Sequence, residues 1–103
     1  MQGITRDRAK RMVGAGWASL IDRFYEYAED SAKHPDLRVL HIKEKFGGLR
    51  IYVSGADVFI HGLIEGIEDA SVTLCEICGG PAALRSQAWV KTLCDQHAQE
   101  PKP

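Results

Sequence analysis

The stretch KEKFGGLRIY, Lys43 to Tyr52, places two adjacent glycines between runs of strand chemistry, Leu40 to Phe46 and Leu49 to Val53. A two-residue glycine link between such runs is a strong hairpin signal, because both turn positions need positive φ and glycine adopts it without a steric penalty. The stretch therefore predicts a tight β-hairpin turning at Gly47 and Gly48. Pairing across that turn sets Phe46 opposite Leu49, Lys45 opposite Arg50, Glu44 opposite Ile51 and Lys43 opposite Tyr52. Ile42, Phe46, Leu49, Ile51 and Val53 then share an apolar face, and His41, Lys43, Lys45, Arg50 and Tyr52 share the other. Glu44 falls on the apolar side, where a lone carboxylate is too costly to leave unpaired. A bulge that turns it outward, or a cation such as Arg23 or Arg38, is expected to resolve it.

On the N-terminal side of the hairpin, Trp17, Leu20, Ile21, Phe24 and Ala28 recur at helical spacing and predict an amphipathic helix ending near Lys33, where His34-Pro35-Asp36 stops it. On its C-terminal side, Ser54 or Asp57 is the expected cap of a second helix whose apolar face is Ile60, Leu63, Ile64 and Ile67. Val72, Thr73 and Leu74 read as extended. Residues 1–16, with Arg6, Arg8, Lys10 and Arg11, read as a flexible basic leader, and residues 99–103 as a disordered tail.

Beyond the second helix the chain is organised by cysteine. CEICGGP and TLCDQHA place Cys75 and Cys78 two residues apart, then Cys94 and His97 at the same spacing. Three thiolates and an imidazole in this order form a closed tetrahedral set for one structural Zn²⁺. Gly79 and Gly80 suit the tight turn that lets backbone amides approach the sulfurs. Ala82 to Arg85 and Trp89 to Leu93 are expected to form a second short hairpin, and Cys94 and His97 to share one face of a helical turn. Knuckle, hairpin and short helix are the order of a treble clef, here over residues 74–98. Three thiolates leave one excess negative charge around a dipositive ion, which Arg85, Lys91 and the last helix N-terminus are placed to offset. A redox C-x-x-C pair explains neither Cys94 nor His97, and a catalytic Cys-His pair needs a thiolate that is not already a ligand.

Together HIKEKFGGLRIYV, CEICGGP and WVKTLCDQHA resemble, over residues 17–98, a family of small uncharacterised bacteriophage and bacterial zinc-binding proteins. The resemblance implies zinc ligation and this architecture. CEICGG followed by a basic stretch and a second ligand pair is also partly similar to the zinc finger of the TraR/DksA regulators of RNA polymerase. His97 stands here where those regulators have cysteine, and their long coiled-coil hairpin with an acidic tip is missing from this sequence.

The chain has 103 residues, 45% of them hydrophobic and 26% charged, with a formal net charge of -1. This is ordinary composition for one globular domain with a modest core. An α+β fold is expected: helix, hairpin, helix and zinc module on one core over residues 17–98. The apolar run Met12 to Ile21 is broken by Gly14 and Gly16 and is followed by Asp22 and Arg23, so it reads neither as a secretory signal nor as a membrane span. Three cysteines with metal spacing suit the cytoplasm. No catalytic residue is expected, because carboxylates such as Glu65, Glu68 and Asp69 read as a solvated helix face. A binding role through Lys43, Lys45, Arg50 and Tyr52 follows, with a host or phage protein as partner and nucleic acid as the alternative. Neither a membrane nor a small-molecule substrate is expected. Lys and Arg on the outer face of a small sheet also serve solubility alone.

Overall fold

The hairpin forms, but it turns one residue earlier than the adjacent glycines indicate. The computed structural model describes residues 1–86 and 89–98, so the expected tail lies outside the described residues. Strands β2 (Arg38–Lys45) and β3 (Gly48–Ser54) pair Lys45 with Gly48, Glu44 with Leu49, Lys43 with Arg50 and Ile42 with Ile51. The two turn residues are Phe46 and Gly47, both at positive φ, 52° and 82°. Positive φ at both positions is the type I′ combination that matches strand twist. Phe46 apart, the faces are as expected, because moving the turn by one residue shifts the pairing by two and keeps opposite partners on a common side. The partners themselves change. Phe46 leaves the apolar face and is 73% exposed at the tip, and Arg50 faces Lys43 instead of Lys45.

Glu44 is satisfied by neither expected route. Its Oε2 accepts the Gly47 N–H at 2.7 Å, closing the turn from within. The bulge lies elsewhere, between Val39 and His41. It turns both Val39 and Ile42 into the core, where strict alternation would place only one of them.

The basic leader is not a leader. Strand β1 (Gln2–Gly3) runs parallel to β2, and helix α1 (Arg6–Met12), capped by the Thr5 hydroxyl, buries Ala9 completely. Arg6 and Lys10 meet carboxylates of the next helix: Arg6 reaches Glu29 at 2.7 Å and Lys10 reaches Asp22 at 2.7 Å. Two of the four cations expected of a free arm are therefore engaged within the fold. Tyr25 donates its hydroxyl to the Ile4 carbonyl at 2.6 Å, and burial, with Glu29 nearby, pushes its pKa up to about 12.

A 3-10 turn (Ala15–Trp17) leads into helix α2 (Ala18–Ala28), whose Leu20, Ile21, Phe24 and Ala28 are buried as the stripe predicts. It ends five residues short of Lys33. The Asp30 side chain accepts the Ala32 and Lys33 amides, a local alternative to helical bonding. Helix α3 (Val58–Ser71) starts at Asp57, whose Oδ1 accepts the Ile60 N–H at 2.9 Å. Ile60, Ile64 and Ile67 close the core. Its polar side has a structural use: Glu68 and Ser71 accept the edge amides of Ile51 and Leu49 at 3.0 and 2.9 Å, so α3 covers the open edge of β3.

Val72 and Thr73 form a turn rather than a strand, and only Leu74 bridges, to Pro81. Strands β4 (Ala83–Arg85) and β5 (Lys91–Leu93) then pair antiparallel, and α4 (Asp95–Ala98) follows. Among the described residues the fold is thus α+β, with four helices and two small sheets. No helix among them is long and apolar enough to cross a membrane.

Candidate functional site

The turn after Leu74 carries the first ligand pair. The Cys75 amide donates to the Gly80 carbonyl at 2.8 Å and the Gly79 amide to the Cys75 carbonyl at 2.8 Å, with Gly79 at φ 77°. The chain thereby curls beneath the sulfurs, and the Gly80 amide points at Cys78 Sγ at 3.4 Å. Of the two glycines only Gly79 uses positive φ. Cys94 immediately precedes α4, its carbonyl accepting the Ala98 N–H at 2.9 Å, and His97 lies within the helix, three residues on and on the same side.

These two pairs converge. The ligand atoms of Cys75, Cys78, Cys94 and His97 all lie within 4.8 Å of one another. Cys78 and Cys94 sulfurs are 3.8 Å apart, and His97 Nδ1 stands 3.5 Å from the Cys75 sulfur and 3.1 Å from that of Cys94. A tetrahedral ion with metal–sulfur bonds of about 2.3 Å and a metal–nitrogen bond of about 2.0 Å needs edges of roughly 3.8 and 3.5 Å. Two of the three distances meet that requirement and the third is slightly short. No disulfide links the three cysteines. The cluster fits a single metal ion.

Electrostatics divide the cluster, two thiols being shifted toward thiolate and the third thiol and the imidazole toward keeping their protons. Burial pushes the Cys75 thiol up, but the amides of Cys94, Cys78 and Ile77 outweigh it and bring its pKa down to about 6. Cys94 is lowered chiefly by the His97 amide, and His97 is raised chiefly by its contact with the Cys94 sulfur. Cys78 is raised: the Gly80 amide pulls it down, but burial and the neighbouring sulfurs prevail. The cations expected to offset the thiolates go to carboxylates instead. Arg85 pairs with Asp95 at 2.9 Å, and Lys91 with Glu76 at 3.6 Å.

Glu76 is a member of this region that sequence reading missed. Only 7% exposed, it accepts the Thr92 N–H on its Oε2 at 2.8 Å, while its own amide donates to the Thr92 carbonyl. Its carbonyl accepts the Gly16 N–H at 2.9 Å. A Cβ on Gly16 would lie 1.9 Å from the Cys75 carbonyl oxygen, so the chain before α2 seats directly on the ligand turn. Thr92 completes the connection by donating its buried hydroxyl to the Gly47 carbonyl at 2.6 Å. The Cys75 turn and the hairpin tip are therefore two hydrogen-bonded steps apart, through Glu76 and Thr92.

The second expected site lies on the outer face of the hairpin. Lys43, Lys45 and Tyr52 are exposed and Arg50 is partly so. Lys43 Nζ sits 5.4 Å from the centre of the Tyr52 ring, whose edge meets His41. Lys45 Nζ lies 6.0 Å from the Phe46 ring. Among the described residues none of Lys43, Lys45 and Arg50 has a carboxylate within ion-pair distance. Of the three scattered histidines, His41 belongs to this face. His34 is buried, stacked on Phe59 and 3.4 Å from Asp57, while His61 is exposed on α3. Tyr27 is half exposed, with its ring against Phe59.

Comparison with protein-family models, curated proteins and solved structures finds no match to this chain.

Proposed function

We propose that this protein is a small zinc-stabilised accessory protein that acts by binding another protein, with Lys43, Lys45, Arg50 and Tyr52 as its contact surface. Cys75, Cys78, Cys94 and His97 hold one Zn²⁺, which supplies cross-linking rather than chemistry. Four protein ligands leave no position for a reactive water. The module around it is read as a treble clef, and the resemblance of the hairpin and ligand motifs supports a phage-type regulator or inhibitor of a host protein. The observation that carries the binding role is the uncompensated cationic face: Lys43 and Arg50 stand directly opposite each other with no acid beside them among the described residues. Like charges so placed repel, and an acidic surface on a partner relieves that cost.

Nucleic acid is the second reading, favoured by the lysines that lie over Tyr52 and Phe46, since single-strand binders alternate cations with stacking rings. Affinity capture from host lysate, with and without nuclease, separates the two. Capture of one defined protein that survives nuclease and is lost from the Lys43→Glu/Arg50→Glu variant supports the first reading. Nuclease-sensitive, salt-dependent capture supports the second. Unchanged capture by the double variant shows the face to be only solvated.

A further inference from the structure

We propose that the cleft between the β2–β3 turn and the segment leading into β5 receives an acidic peptide segment through one apolar anchor side chain. The proposal rests on the reading of the protein as a binding module and extends its contact surface beyond the sheet face. The cleft measures about 460 Å³ and is lined by Glu44, Lys45, Phe46, Trp89, Val90 and Lys91. Phe46 and Trp89 are 73% and 72% exposed. Two such rings bordering one groove, with a valine and lysine stems beside them, are the surroundings of an interface anchor.

The backbone at Phe46 points the same way. A hairpin turn of this type is best filled by Asn or Gly, yet an aromatic residue occupies its first position at φ 52°. The fold obtains little packing in return from a ring this exposed, and strain held at an exposed aromatic is a mark of function.

Charge decides the class of anchor-bearing partner. Glu44 is turned onto the Gly47 amide, and Glu76 is held by Thr92 and Lys91. Lys45, which lines the cleft, has no such partner among the described residues and shares the outer hairpin face with Lys43 and Arg50. Carboxylates flanking an anchor can therefore meet cations on the hairpin side.

The test is selection of a random displayed peptide library on the full chain in zinc-containing buffer, followed by titration of enriched synthetic peptides and of oligo(dT). Enriched peptides are expected to pair an aromatic or aliphatic residue with neighbouring Asp or Glu. Because Trp17 is fully buried, a blue shift of the exposed tryptophan emission on binding reports Trp89. Trp89→Ala should weaken the enriched peptide at least about tenfold, with metal content and Trp17 emission unchanged as the check on folding. No enrichment, a basic consensus, or tighter binding of oligo(dT) in the same cleft overturns the proposal. Should Trp89→Ala bind like wild type while Lys43→Glu/Arg50→Glu does not, the cleft falls and the binding face stands. Loss on Trp89→Ala with the double reversal unaffected supports the cleft and removes the face.

Discussion

Replacing Phe46 by Asn tests the register of the central hairpin. If the turn were Gly47-Gly48, Phe46 would pack on the apolar face opposite Leu49, and truncating it would cost about 3 to 5 kcal/mol, as for other buried aromatics. In the structure Phe46 is the first turn residue and only about a quarter buried. A buried phenylalanine contributes about 200 Å², so a quarter of it, at about 25 cal/mol per Å², is worth roughly 1.3 kcal/mol. Against that loss stands the left-handed backbone, which costs an ordinary residue about 1 to 2 kcal/mol and Asn much less. The two nearly cancel, so Phe46→Asn should unfold within about 1 kcal/mol of wild type. The glycines supply the control. Gly47→Ala should be destabilising, since φ is 82° and the new Cβ would lie 2.6 Å from Leu84 Cδ2. Gly48→Ala should be tolerated better, because φ there is not positive and the nearest atom is the mobile guanidinium of Arg50 at 2.8 Å. Urea midpoints at fixed zinc, compared at equal m-value, give the three differences. A loss of about 3 kcal/mol or more for Phe46→Asn, or equal penalties at the two glycines, would refute the shifted turn.

Three further outcomes follow from the site. Purified protein should contain one zinc per chain, and strong chelation should unfold at least residues 74–98, because structural zinc contributes about 10 to 16 kcal/mol against a net domain stability of about 5 to 15; elemental analysis and amide exchange check both, and freely titratable thiols in folded, metal-free protein would contradict them. Thr92→Val keeps the shape but strands the Gly47 carbonyl, so it should cost about 1 to 3 kcal/mol and loosen the hairpin tip, read as faster amide exchange at residues 44–48. Gly16→Ala should lower both thermal stability and metal affinity in chelator competition, since its Cβ would meet the backbone of the ligand turn at 1.9 and 2.6 Å; a silent substitution would mean that this segment does not seat there.

The convergence of Cys75, Cys78, Cys94 and His97, and the helices, were legible in the sequence because each is specified locally. Two ligand pairs at i and i+3 need only a tight turn and one helical turn to present their donors, and residues 75–80 and 94–97 contain both. The stripes of α2 and α3 and the Asp57 cap are likewise fixed within a few residues of themselves. The turn register was not legible, because local preference for glycine at both turn positions favours Gly47-Gly48, whereas the register found puts Phe46 at positive φ beside Gly47. Distant contacts choose between them: Thr92 hydroxyl to Gly47 carbonyl, Leu84 against Gly47, and Ser71 and Glu68 holding the β3 edge. The first sixteen residues show the same division. Composition marks them as basic and glycine-broken, whereas Gly3 fits against Val39, and Gly14 and Gly16 against Glu76 and Cys75, through backbone approaches across 36 to 62 positions of sequence. Such contacts leave no periodic trace, because what selects the residue is a missing side chain opposite a remote carbonyl, and only the assembled chain brings that carbonyl into place.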